Sequence, residues 1–190
     1  MKIGIDVSQL AYPNTGVANY LQNLVQNLIK QDQENEYVLF FSSMRGKLQI
    51  ENLKLKNNPN VQIKTFKIPP TVLDILWNKL HILPIENFIG PVDIFITSDW
   101  TEPPVKKAKK VTILYDLIIY KYPEESHHQT KFNPLKLIVS PNIVEVQKRK
   151  LAWAKKESSK ILCISESTAR DAEEILGIDK SRLEVVYAGF

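Results

Sequence analysis

Three short apolar runs, at residues 94–96, 111–114 and 161–164, carry no polar face. A strand with one side in water alternates apolar and polar residues, whereas a strand covered on both sides stays apolar. These runs therefore demand a sheet buried between two layers. What lies between such runs is helical in period. Val17, Tyr20, Leu21, Leu24, Val25, Leu28 and Ile29 share one face, with Asn19, Gln22, Asn23, Gln26 and Asn27 opposite. Thr15 or Asn14 is placed to cap that helix. Further strands are expected at 3–7, 37–41, 61–66 and 183–187. A short helix is expected at 72–83, after Pro69-Pro70. A longer helix over 135–159 is interrupted near Pro141. A last helix, capped by Ser167 or Thr168, stops at Gly177, with Ile178 packing back on it. Strand–helix alternation of this kind predicts an α/β chain: one Rossmann-like, doubly wound parallel sheet flanked by helices, in a single domain over 1–190.

At 190 residues, with 44% apolar and 24% charged residues, the chain can bury a substantial core. No apolar run approaches the roughly 20 residues that span a bilayer. Met1-Lys2-Ile3 leads directly into a strand, so no secretory leader is expected. The single cysteine, Cys163, rules out an internal disulfide framework. These features predict a cytoplasmic protein. The net charge of +4 is clustered at Lys106, Lys107, Lys109 and Lys110 and again at Lys148, Arg149, Lys150, Lys155 and Lys156. Either the clusters are solvated faces, or the second, with Leu151 and Trp153, seats the protein peripherally on an anionic membrane. The clusters lack interleaved stacking aromatics, so no nucleic acid is expected. His127-His128 lacks a third ligand at suitable spacing, so no metal is expected.

In open parallel sheets, ligands bind beyond the carboxyl ends of the strands. That rule picks out Asp6, Ser8 and the loop to Gly16; Ser98, Asp99 and Trp100; Tyr115 and Asp116; and Ser165 and Glu166. Thr15, Gly16 and Val17 open a helix whose first N–H groups have no internal partner, an anion-attracting arrangement. Each residue also has a plain alternative. Gly16 can serve a tight loop, Asp116 a turn, Ser165 a helix cap, and Trp100 can pack under a loop. The first loop has no G-x-G-x-x-G, which argues against a dinucleotide-binding dehydrogenase.

Four stretches, in this order, resemble the GT4-type (group 1) retaining glycosyltransferases of the two-domain GT-B fold. Gly4 to Leu10 with Thr15 to Leu21 is similar to the opening strand and glycine loop of that family. Residues 111–116, with Leu117 and Tyr122-Pro123-Glu124, are similar to its "His-Asp-Leu … Pro-Glu" segment. Cys163 to Asp171 resembles its "Val-Ser-Glu" strand and helix. Leu183 to Gly189 resembles the "Val-Val-x-Asn-Gly" run before the interdomain linker. Two positions depart from the pattern: Tyr115 stands where the family has histidine, and Ala188 where it has asparagine. A phenol ordinarily titrates at about 10, which suits proton transfer at neutral pH poorly.

The resemblance implies the N-terminal, acceptor-side half of a transferase, with the C-terminal donor domain lying outside the chain. Such an enzyme moves a sugar from a nucleotide-sugar donor to a glycan or lipid-linked acceptor with retention, without a bound cofactor or metal. This half alone is expected to be inactive. Carried onto this sequence, Asp116 and Tyr115 are the catalytic candidates and Thr15, Gly16 and Val17 the donor-binding ones. Asp99, Trp100, Ser165 and Glu166 are the acceptor-binding candidates. The alternative is a non-catalytic glycan-binding or scaffold subunit that partners a separate transferase.

Overall fold

The computed structural model describes residues 1–44, 53, 58–98, 100–122 and 143–188. Seven strands form one sheet: β1 (Lys2–Asp6), β2 (Glu36–Ser42), β3 (Val61–Phe66), β4 (Ile94–Thr97), β5 (Lys109–Leu114), β6 (Lys160–Cys163) and β7 (Leu183–Val185). All six pairings are parallel, and the order is β3-β2-β1-β4-β5-β6-β7. The expected doubly wound α/β architecture is the one observed. The chain winds outward from β1 to β3, then restarts on the other side of β1 with β4. The switch point therefore lies between the carboxyl ends of β1 and β4.

The continuous apolar run Tyr37–Phe41 of β2 has its cause in the pleat. Tyr37, Leu39 and Phe41 of β2 point into one core with Tyr20, Leu21, Val25 and Ile29 of α1 (Gly16–Gln31). Val38 and Phe40 point the opposite way, onto Leu73, Trp77, Ile85 and Ile89. Period-two alternation thus feeds two cores at once. A third core gathers Leu151, Cys163, Ala172 and Leu176 between the sheet, α5 (Ile143–Glu157) and α6 (Glu166–Leu176). Gly4 is required by close approach: a Cβ there would lie 2.8 Å from Ile89 and Phe95 side-chain atoms.

Several local expectations are corrected. The helix expected at 72–83 is α2 (Pro70–Leu73), which runs directly into a π-helical stretch, Asp74–Lys79. It ends early because Trp77, fully buried, donates from Nε1 to the Leu83 carbonyl at 3.0 Å and folds the chain back. The cap of α6 is not Ser167 or Thr168 but Ser165, the plain alternative read for that residue: its Oγ accepts from Thr168 N at 3.1 Å. Gly177 does terminate α6 in the left-handed region, φ 62°, and Ile178 is buried behind it. Two short helices, α3 (Glu86–Ile89) and α4 (Ile118–Lys121), had no periodic signal because one turn is too short to show one. The Pro141 interruption, His127-His128 and most of 42–59 and 121–133 lie outside the described residues.

Candidate functional site

A cleft of about 230 Å³ opens at the carboxyl ends of the central strands. Val17 from the start of α1, Trp100 from the loop after β4, and Tyr115 and Asp116 from the end of β5 all line it. Four of the residues singled out in the sequence thus converge on one cavity. Ile143, Gln147 and Lys150 from α5 form another part of the wall.

The α1 side is built by its cap. Thr15 accepts from Ala18 N at 3.2 Å and donates to the Tyr12 carbonyl at 3.1 Å, so its hydroxyl is committed locally. Gly16 is not held by the fold: apart from its chain neighbours and the adjoining helix backbone, no atom lies within 4 Å of where its Cβ would stand, and its φ is not in the left-handed region. The plain alternative, a glycine demanded by a tight loop, has no steric basis here. What glycine leaves at this place is open space beside a helix N-terminus.

Tyr115 is buried, its ring edge-on to Tyr20 with centroids 5.6 Å apart, and its hydroxyl lies 3.4 Å from Ser98 Oγ. It presents a wall rather than a free side chain. Asp116 is exposed, and its Oδ1 accepts from Ile118 N at 3.1 Å, the local turn contact expected of such an aspartate. The other carboxylate oxygen retains acceptor capacity. Trp100 is half-buried, and its carbonyl is fixed by Asn78 Nδ2 at 3.0 Å. Asp99 lies outside the described residues.

Ser165 and Glu166 do not line this cleft. Ser165 is the α6 cap, and Glu166 is exposed, accepting from the Tyr187 hydroxyl at 3.3 Å. They stand close by all the same, since Thr168 of the same helix start donates to the Tyr115 carbonyl at 3.2 Å.

Asp6 and Lys150 are charged groups buried in this region. Asp6, at the end of β1, accepts from Ser8 N at 2.9 Å. Burial pushes its carboxyl up to about 6, against the opposing pull of Ser8 and of the Lys150 charge. Lys150, read in the sequence as part of a basic surface, is buried in the cleft wall. The basic cluster of this helix is not one continuous solvated face. Arg149 pairs with Asp74 at 3.1 Å, and Leu151 belongs to the core. Trp153 stacks on His81 with centroids 3.5 Å apart. Only Lys155 and Lys156 of that cluster are exposed. The signal was available: Val146, Lys150 and Ala154 lie at i, i+4 and i+8, so Lys150 falls on the apolar stripe.

Among the described residues, no cluster of three or more His, Cys, Asp or Glu side chains could hold a metal ion, and no helix is long and apolar enough to cross a membrane. The chain matches no protein-family model and no curated protein.

Proposed function

We propose that this chain forms one wall of a sugar-transfer cleft, in which a sugar passes from a nucleotide-sugar donor to the hydroxyl of a glycan or lipid-linked acceptor. The observation that carries this reading is the convergence of Val17, Trp100, Tyr115 and Asp116 on one cavity at the sheet's switch point, beside the open space at Gly16. Negative charge develops on the departing diphosphate, and pre-set N–H donors stabilise such charge. The first N–H groups of α1, at Gly16 and Val17, have no acceptor within the helix and are in position to contact diphosphate or donor sugar. Trp100 offers a flat aromatic wall for a sugar ring. Asp116 is the exposed carboxylate placed to accept from an incoming hydroxyl. Tyr115, packed on Tyr20, shapes the wall where the resembling family carries histidine. The resemblance adds a second, donor-gripping domain and retention at the anomeric carbon to this proposal. The exposed Lys106, Lys107, Lys155 and Lys156 remain available to an anionic membrane bearing the acceptor.

Sugar-nucleotide hydrolysis or transfer by the full-length protein tests the reading, with Asp116→Ala and Tyr115→His beside it. The expected result is turnover that falls about a hundredfold in Asp116→Ala, because a misplaced acceptor loses its near-attack geometry. Undiminished turnover in that variant removes Asp116 from the site. Glycan binding with no turnover by the wild-type protein would favour the non-catalytic subunit, a role compatible with the packed Tyr115.

A further inference from the structure

Among the described residues two lysines are fully buried, Lys110 and Lys150, and they are treated differently. Lys110 meets Glu157 at 2.7 Å and Glu102 at 3.8 Å. Lys150 has no ion pair among the described residues. Its Nζ has one hydrogen bond there, a long one of 3.4 Å to the Ile113 carbonyl. An ammonium carries three donors, and a buried one left short of acceptors costs several kcal/mol. The nearby Asp6 carboxylate feels the Lys150 charge without pairing with it. Lys150 is nevertheless not sealed in the core, because it lines the cleft shared by Val17, Tyr115 and Asp116. The acidic residue on that lining, Asp116, is exposed and has one oxygen turned to Ile118 N.

We infer that this cleft is a phosphate site, in which a phosphate group of the ligand completes the coordination of the Lys150 ammonium. A compact dianion supplies the further acceptors and the direct countercharge that no described residue brings into contact with this ammonium, and a charge-assisted contact of this kind is about twice as strong as a neutral one. The first-turn N–H groups of α1 stand at the same cleft through Val17 and favour the same sign of charge. The site stands on Lys150 and the cavity, not on sugar transfer. Its phosphate can come from the donor diphosphate or from a phosphorylated acceptor.

The test titrates the full chain with inorganic phosphate, glycerol 3-phosphate and UDP. Calorimetry and backbone amide shifts give the readout, in wild type, Lys150→Met and the exposed control Lys155→Met. Wild type and Lys155→Met are expected to bind, with shifts at Val17, Tyr115 and Gln147. Lys150→Met is expected to bind about tenfold or more weakly while melting at the wild-type temperature or above it, because an under-compensated buried charge has been replaced by an apolar chain of similar length. A purely structural lysine would show the reverse: lost stability and unchanged binding. Preference for UDP assigns the phosphate to the donor, and preference for glycerol 3-phosphate to the acceptor; either upholds the site. Equal affinity in Lys150→Met, wild-type shifts confined to other surfaces, or no binding of any of the three ligands overturns it. The wild-type shift map decides the matter even if the methionine variant does not fold. Lys150-dependent binding without sugar-nucleotide turnover would keep the phosphate site and remove the transferase reading.

Discussion

Replacing Lys110 by methionine strikes the most heavily charged part of the interior. Glu102 is fully buried; its carboxylate accepts from Thr97 Oγ1 at 2.9 Å and Thr112 Oγ1 at 2.8 Å. Lys110 Nζ sits 3.8 Å from Glu102 and 2.7 Å from Glu157, with both the Lys110 and Glu102 side chains fully buried. At an effective dielectric of about 20, the attraction across 3.8 Å is about 4 kcal/mol before desolvation is counted. Forming such a pair gains little net, because both ions lose water. Removing one partner costs much more, about 3–5 kcal/mol, because the other charge stays buried. For a chain of this size that lowers the melting temperature by about 6–20 °C. Glu157 relaxes more easily, since its side chain is 26% exposed. Lys110→Met/Glu102→Gln should therefore recover more than half of the loss, since no uncompensated charge remains inside.

Urea unfolding at neutral pH measures both variants, and an acid series adds a second signature. Burial pushes the Glu157 carboxyl up, but the Lys110 and His81 contacts outweigh burial and hold it below its ordinary value. A depressed carboxyl stabilises the fold above its unfolded value, and that contribution is lost as pH falls through the folded one. The acid limb below the ordinary glutamate range, about 4.3, should flatten in Lys110→Met. A Lys110→Met protein within about 1 kcal/mol of wild type, well short of the broken-pair cost, would refute the reasoning. So would a double variant as unstable as the single one.

Two further outcomes are expected. Asp6 is raised from an ordinary 3.8 to about 6, so at pH 7 its ionised form opposes folding by on the order of 3 kcal/mol. The folded state holds the proton more tightly, so wild-type stability should rise as pH falls from about 6 towards 3.8; Asp6→Asn should be more stable at pH 7 and lack that slope, as thermal melts across the range will read. Gly16→Ala should leave stability unchanged or raise it by about 0.4–1 kcal/mol, because the space for a Cβ is empty and the unfolded chain loses freedom. If the open space serves a ligand, the same variant should lose about tenfold in sugar-nucleotide turnover; intact turnover would return Gly16 to a passive role.

The sheet was legible in the sequence because its burial is repetitive. The central strands have cover on both sides, so their sequences are dominated by apolar residues, with buried exceptions such as Lys110 and Thr112 in β5, and α1 repeats one face for 16 residues. Elements whose shape depends on one distant contact were not legible. The helix at 70–79 ends where Trp77 Nε1 reaches Leu83, a contact no local pattern announces; for α6 the residue types allowed Ser165, Ser167 or Thr168 as cap, and which hydroxyl reaches Thr168 N decides among them. The rim residues were found because the strand ends locate them. Whether a rim residue faces the cavity was a separate matter: Val17, Trp100, Tyr115 and Asp116 line it, whereas Ser165 turns into its own helix.

The largest misreading concerned lysine, and its cause shows how α5 works. Charge clustering in a sequence suggests a solvated face, yet on this helix each charge goes to a different task. Arg149 reaches Asp74 on the π-helical stretch, and Trp153 donates to the Asn78 carbonyl there at 3.0 Å while stacking on His81. Glu157 receives Lys110 from β5 and His81 Nε2, the latter at 2.9 Å. Between these clamps Leu151 and Ala154 are buried, as is Val146 just before them, and Lys150 lies on that buried side where it meets the cleft. The position of the Lys150 ammonium is thus fixed by polar contacts on both sides of it along the helix, without an ion pair of its own among the described residues. A perturbation of the Lys110–Glu157 clamp should consequently be felt in the cleft, through the seating of α5. Phosphate affinity measured in Lys110→Met, beside its stability, will read that coupling: weakened binding with Lys150 still present is the expected result. Unchanged affinity would mean that the cleft wall is held by its apolar packing alone.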